Sequence, residues 1–258
     1  METEKFSSEV RDVFPKRHLL DALEEAIATT SALRRESVGQ SDLSPVAKIP
    51  FKVEVLNQAC LRRILDLANA CVRDVNAGAL APAFLNARAA LETMFSALDI
   101  SMSVSDATQQ HDKSGLQRLD ERIMKGLVGS KSEDWGGKEV PAVNILTIVD
   151  RFAKKIDPAI ARMYADLSEH AHPNWAGTVG AYSRIEKVTG RVHFIDSPLF
   201  KAHEKIGFPV GATTIALTLM AKVISSYAKD LPSFVLLCEE ELHDQGKWPD
   251  GAPYPRSS

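Results

Sequence analysis

Apolar residues recur at steps of three and four through most of the chain, the pattern of helices that bury one stripe. Leu19, Leu20, Leu23, Ile27 and Leu33 mark a first helix, with Glu24, Glu25, Arg34 and Arg35 outside. Pro15 suits its first turn, and the residues up to about Phe14 read as frayed or as a short helix. Val38 to Pro50, with Gly39 and Pro45, reads as a loop. A second helix, from about Phe51 to Ala77, carries the stripe Leu56, Cys60, Ile64, Leu67, Cys71 and Val75, with Gly78 as its stop. A third runs from near Pro82 to about Val104 on Phe84, Leu91, Phe95 and Leu98. Joined by so few residues, these two helices are predicted to pack antiparallel.

From Ser105 the pattern is polar, a loop or exposed helix, until Leu116, Leu119, Ile123, Met124 and Leu127 restore helical spacing. Gly129 to Val140 is a loop, and its Gly136-Gly137 is not followed by the Gly-Lys-Ser/Thr of a phosphate-binding loop. Pro141 opens a helix carrying Ile145, Ile148, Val149 and Phe152. Asp157-Pro158 caps the next, which continues through Ile160, Met163, Tyr164 and Leu167. Beyond Gly177 the period shortens. Ala181 to Val188 and Arg191 to Ile195 suit two strands about a turn at Thr189-Gly190. Thr213 to Lys229 is a core helix, Pro232 starts a last helix from Phe234 to His243, and Trp248 to Ser258 is a loose tail.

The fold class is therefore mostly α: a multi-helix bundle with one β-hairpin after the fifth or sixth helix. The chain reads as one helical domain over residues 1–258. Its core bundle covers about 51–177, the hairpin about 180–196 and the C-terminal helices about 208–245. With 258 residues, 45% of them hydrophobic, the chain can build one large core. The longest apolar run, Phe208 to Ala221, ends at Lys222 and is too short to span a bilayer, so no membrane partner is expected. Near-balanced charge, 31 basic against 34 acidic residues, excludes a global pull toward nucleic acid and leaves room only for a local basic patch. Cys60, Cys71 and Cys238 sit in apolar helical stretches and read as buried thiols in a reducing cytoplasm. The acidic, polar start of the chain is not a signal peptide.

Chemistry concentrates in Met163–Gly177, which gathers Tyr164, Asp166, Ser168, Glu169, His170 and His172 before Pro173 ends the helix. Asn174, Trp175 and Gly177 then mark a change of direction. Tyr164, Ser168 and His172 fall at i, i+4 and i+8 on one helical face. His172 can act as an acid or base, since imidazole titrates near neutrality, with Ser168 or Tyr164 supplying hydrogen bonds. The plainer reading is a structural polar cluster, with His172 satisfying carbonyls at the helix end. His170 and His172 point apart on a helix, and a third metal ligand (Glu92, His111 or His203) is not fixed, so no metal and no cofactor is expected. No Gly-x-Ser-x-Gly marks Ser168 as a nucleophile. Arg88 and Glu92 lie four apart on the third helix: either a solvated pair, or one set near the interior beside Ala87, Ala89 and Ala90, where it orients a polar site.

Asn-Ala-Arg-Ala-Ala-Leu-Glu at 86–92 and Leu-Ser-Glu-His-Ala-His-Pro-Asn at 167–174 together resemble prokaryotic all-helical proteins with an Arg-x3-Glu helix and a Tyr-x2-Leu-Ser-x3-His helix. That arrangement is similar to the HEPN superfamily, helical bundles that include metal-independent ribonucleases of toxin, defence and RNA-processing systems. The resemblance covers roughly residues 51–177. It matches His172 to the catalytic histidine, but Ser168 stands nearest the expected arginine and Arg162 lies too far upstream. It implies a homodimeric bundle that binds RNA, a nucleotide or an anion, with Arg88, Glu92, Asn174 and His170 as binding residues. The alternatives are a ribonuclease using His172, Ser168 and Tyr164, with Arg88 or Arg162 on the phosphate, and a purely structural partner protein.

Overall fold

The computed structural model describes residues 3–129, 141, 143–195 and 203–249, with the backbone alone at 203 and 204. The loop expected at 129–140 and the tail therefore lie almost wholly outside the described residues. The chain is mostly α, with one two-stranded antiparallel hairpin late in its order. It forms two compact units, each drawn from three stretches of sequence.

The first unit comprises Met1–Ala32, Arg62–Met94 and Leu146–Thr218. It opens with α1 (Ser8–Val13) and α2 (Arg17–Ser31). The N-terminal segment is not frayed: Phe6, Val10 and Phe14 are buried. Asn69 and Asn76 accept the Glu4 and Ser7 backbone N–H groups at 3.0 and 2.9 Å. Arg11 adds ion pairs to Asp21 and Glu24. The unit contains the later half of α3 (Ile49–Asn76) and the first half of α4 (Leu80–Gln110). Gly78, at φ 72, makes the reversal between them, a conformation glycine adopts without strain. Helix α3 buries more than the expected stripe, because Leu61, Leu65, Ala68 and Val72 are fully covered as well. Next come α6 (Ile145–Lys155) and α7 (Ala159–Ala171). Asp157 caps α7 by accepting the Ala159 N–H at 2.7 Å. After α8 (Val179–Tyr182) come β1 (Ser183–Ile185) and β2 (Val192–Phe194), shorter than the alternation suggests because Ala181 and Tyr182 complete a helical turn.

The second unit comprises Leu33–Leu61, Phe95–Ile145 and Leu219–Ser258. Its polar stretch is helical to Gln110, turns at His111 (φ 50) and resumes as α5 (Leu116–Val128). Lys52 is paired with Asp120, and Asp99 with Arg122. Ser44 donates to buried Glu239 at 2.7 Å, and the Tyr227 hydroxyl donates to the Pro50 carbonyl at 2.7 Å.

The two C-terminal helices expected from sequence are one helix, α9 (His203–Asp244), which passes through Pro209 and Pro232. Pro232 is exposed, so the carbonyl that loses its helical donor faces water instead of an apolar core. The continuous helix also removes the stop assumed at Lys222. By length and composition alone, Lys205–Asp244 is long and apolar enough to cross a membrane, with half of its most apolar window buried. Its outward stripe is mainly polar: Thr218, Lys222, Ser225 and Lys229 are exposed, while Leu217, Met220, Val223 and Tyr227 are covered. That is the distribution of a helix packed against protein. Since proline costs up to about 3 kcal/mol inside a helix, Pro232→Ala is expected to raise stability by roughly 1–3 kcal/mol in urea unfolding. Unchanged or lower stability would place a helix break at this position.

Candidate functional site

Helices α4 and α7 meet through three polar side chains. The Arg88 Nε donates to Glu92 Oε1 at 3.0 Å. A terminal nitrogen of Arg88 donates to the Tyr164 hydroxyl at 3.0 Å, and that hydroxyl donates to Glu92 Oε1 at 2.7 Å. The guanidinium also lies over the Tyr164 ring, 5.2 Å from its centre, within cation–π range. Tyr164 is buried, whereas Arg88 and Glu92 stay partly exposed. Burial works against the Arg88 charge, but the bond to Tyr164 and the Glu92 carboxylate outweigh it and raise the pKa. Burial and the bond to Glu92 raise that of Tyr164. The triangle is closed: Arg88 faces a matching carboxylate, which leaves it poorly placed to steady a ligand anion. Of the two readings of the Arg88/Glu92 pair, the structure has the one set against a neighbouring helix.

His172 is not part of this triangle. The residue before a proline is driven out of helical geometry, and His172, ahead of Pro173, is extended at φ -88, ψ 153. Its side chain is exposed, and it forms no hydrogen bond or ion pair among the described residues. The i+8 position on the Tyr164–Ser168 face therefore does not exist in the folded chain. Ser168 donates to the Tyr164 carbonyl at 2.8 Å, a bond within its own helix. Asn174 pins the turn: its Nδ2 donates to Glu169 at 2.6 Å and its Oδ1 accepts the Gly177 N–H at 3.0 Å. Arg162 is exposed. Glu92 is engaged as above and His111 pairs with Glu240 at 2.9 Å. Among the described residues no cluster of three His, Cys, Asp or Glu could hold a metal. Thus Arg88, Glu92 and Tyr164 come together, and His172 and Asn174 serve the end of α7.

His170 is placed differently. Still inside α7, it sits on the ring of buried Phe84, centroids 4.2 Å apart, and Phe84 in turn stacks on Phe208 at 6.0 Å. It lines a small pocket open to solvent, with room of about 30 Å³. Leu80, Ala81 and Phe84 from the start of α4 form one wall, Ala176, Gly177, Gly180 and Ala181 another, and Lys205 of α9 the rim. Gly177 admits no side chain, since a Cβ there would lie 2.1 Å from the His172 carbonyl oxygen. Burial lowers the His170 pKa, and the Lys205 charge lowers it further, against the opposing pull of the Ala176 backbone, Asp166 and Glu169. Lys205 forms no ion pair with a described carboxylate. The first turn of α4 lies along the same wall; the Leu80 and Ala83 N–H groups are bonded to the Gly78 and Ala79 carbonyls and Pro82 has none, so what the turn offers is its dipole. Lysine, a helix N-terminus and a histidine able to gain a proton all favour an anion here, beside an aromatic floor.

Sequence reasoning did not find this pocket. Phe84 reads there as core and Lys205 belongs to no motif; the signal that could have separated the two histidines is Pro173, which drives His172 but not His170 out of the helix. No protein-family model, no curated protein and no solved structure matches the chain, so the site rests on its geometry.

Two outcomes are expected. In a double-mutant cycle, Tyr164→Phe and Glu92→Ala should couple by about 1 kcal/mol, as members of one network; additive effects would mean the triangle does not form in solution. For His170, the folded-state pKa lies below the ordinary 6.5, so the unfolded chain takes up its proton first. Its contribution therefore favours folding at neutral pH and turns against it as pH falls through 6.5 toward the folded value. Melting curves from pH 8 to pH 5, about as wide a range as imidazole titration needs, should show the native protein losing stability relative to His170→Gln. Parallel curves would contradict the burial.

Proposed function

We propose that this chain is a helical binding module that takes a phosphate-bearing ligand, a nucleotide or the end of an RNA strand, in the pocket of His170 and Lys205. One observation carries the reading: a histidine held below its usual pKa, a lysine with no ion-pair partner among the described residues and the first turn of a long helix converge on one small pocket with an aromatic floor. Removing an anion from water needs positive groups to replace its hydration; Lys205 and the α4 dipole supply them without a metal, and His170 adds a third when it gains a proton. The ligand's charge in turn stabilises the protonated imidazole, so binding takes up a proton at neutral pH.

The HEPN-like assignment belongs to this proposal. Its support is that the Arg-x3-Glu helix packs on the Tyr-x2-Leu-Ser helix through the three residues at the centre of the resemblance. With it go a cytoplasmic setting, consistent with three buried cysteines outside any disulfide, and pairing with a second copy. Binding without cleavage is favoured over the ribonuclease reading because exposed His172 has neither Arg88 nor Tyr164 as a partner, and Ser168 is bonded within its helix.

The test is calorimetric titration with adenosine monophosphate in buffers of different ionisation enthalpy. Binding with net proton uptake near neutral pH is expected, with at least a tenfold loss of affinity in Lys205→Glu and no proton uptake in His170→Gln. No heat and no thermal stabilisation by this or other nucleotides would remove the reading.

A further inference from the structure

The pocket has two unlike sides. One belongs to long helices: Leu80, Ala81 and Phe84 of α4, and Lys205 of α9. The other belongs to residues 171–195, the turn, α8 and the hairpin, through Ala176, Gly177, Gly180 and Ala181. This second side is lightly attached. Among the described residues no side chain from Ser168 to Ile195 is buried, whereas Leu167 before them and Ile206 after them are fully covered. The hydrogen bonds and ion pairs of the segment stay within it or reach back to the end of α7. Asn174 holds Glu169 and Gly177, Gly180 bonds the Trp175 carbonyl, Ile195 bonds the Tyr182 carbonyl and His193 faces Glu186. Among the described residues none runs to α4 or α9. A segment with so few buried contacts opens at a small cost in free energy.

His170 joins the two sides. Its ring lies on Phe84, with centroids 4.2 Å apart, and it bonds the backbone of Ala176. That bond favours the charged ring, so the ring donates it and keeps it on gaining a proton. Burial against Phe84 acts the other way and outweighs it. The charged groups around the ring are few. Lys205 repels a second cation from α9. Asp166 and Glu169 attract it from α7 itself, but more weakly; both are exposed, and Glu169 is engaged by Asn174. The α4 wall carries no charged side chain, and the turn offers the Ala176 backbone alone. A protonated ring therefore gains by leaving Phe84 and Lys205 while staying with Ala176. The seam that parts is the one between the turn and the two long helices.

We infer that His170 is an acid-released latch: on gaining a proton it leaves Phe84 and carries residues 171–195, one wall of the pocket, away from α4 and Lys205, and an anion in the pocket holds the latch shut. The release follows from the packing. Only the holding by an anion rests on the phosphate reading of the pocket. The sign follows from linkage. The closed ring binds its proton less readily than an exposed imidazole, so the open state gains as pH falls through 6.5. An anion beside the closed ring favours its proton and removes that gain.

Electron–electron resonance distances on the full chain test it, with nitroxides at Val188→Cys, in the hairpin turn, and Leu85→Cys, on α4. Both positions are exposed, and the three native thiols are buried. One distance is expected at neutral pH, with a second, longer population growing as pH falls below 6.5. His170→Gln should abolish that population. Lys205→Gln, which narrows the difference between the closed and open ring, should reduce it. Helix content by circular dichroism should stay constant over the same range. A single distance at every pH, or equal growth in His170→Gln and Lys205→Gln, would overturn the latch and leave the pocket to calorimetry. Loss of helix in step with the longer distance would mean unfolding in place of opening, and would also overturn it. Adenosine monophosphate should suppress the open population. Acid opening that the nucleotide leaves untouched would support the release and overturn the anion's part in it, together with the phosphate reading.

Discussion

A proline ring collides with the preceding residue when that residue is helical. This local clash decides where α7 stops and, through it, most of what surrounds the pocket. His172 leaves the helix and turns to solvent, whereas His170, two residues earlier, keeps helical geometry and settles on Phe84. The chain must then reverse. Asn174 holds the reversal from both sides of its amide, and Gly177 passes where a side chain would strike the His172 carbonyl. From there α8 and the hairpin follow at the pocket's edge. A residue other than proline at 173 would let α7 run on, and the pocket would lose the wall that Ala176 to Ala181 provide.

The triangle of Arg88, Glu92 and Tyr164 has a different task. An exposed ion pair one helical turn apart contributes only tenths of a kcal/mol. Adding a buried tyrosine from α7 fixes the register of that helix on α4, because only one alignment satisfies all three groups. That alignment brings Phe84, one turn earlier on α4, against His170, nearly two turns later on α7. The polar network thus sets the pocket's geometry without entering it. It illustrates why a cluster of titratable residues in sequence is an ambiguous guide to function: the groups that satisfy one another hold the helices together, and the proposed site rests on a histidine and a lysine outside that cluster.

Much of the fold was legible from residue spacing. The stripes of α3, α5 and α6 could be read because a helix must bury every third or fourth residue, and Gly78 and Gly190 could be read as turns because positive φ suits glycine. The errors have physical causes. Pro232 looked like a helix start, yet an exposed proline leaves its orphaned carbonyl to water and α9 continues. For the N-terminal segment the sequence left a frayed start and a short helix both open, because what holds it as the short helix α1, Asn69 and Asn76, lies far along the chain. Of the site, the Arg88–Glu92 pair could be read from its spacing of four, but not that Tyr164 completes it, which takes the packing of α7 on α4; the choice of His172 treated it as helical despite Pro173. Lys205 could not be found, since only tertiary packing brings it beside His170.

The central claim is that the His170 imidazole stands in an anion-receptive pocket, apart from the exposed His172. Following both imidazole resonances by NMR from acid to neutral pH, with and without adenosine monophosphate, tests it directly. The account expects His170 of the free protein to titrate below the ordinary 6.5 and to move upward when the nucleotide is present, with His172 unmoved. A His170 that titrates like an exposed imidazole and ignores the nucleotide, or a response confined to His172, would contradict it.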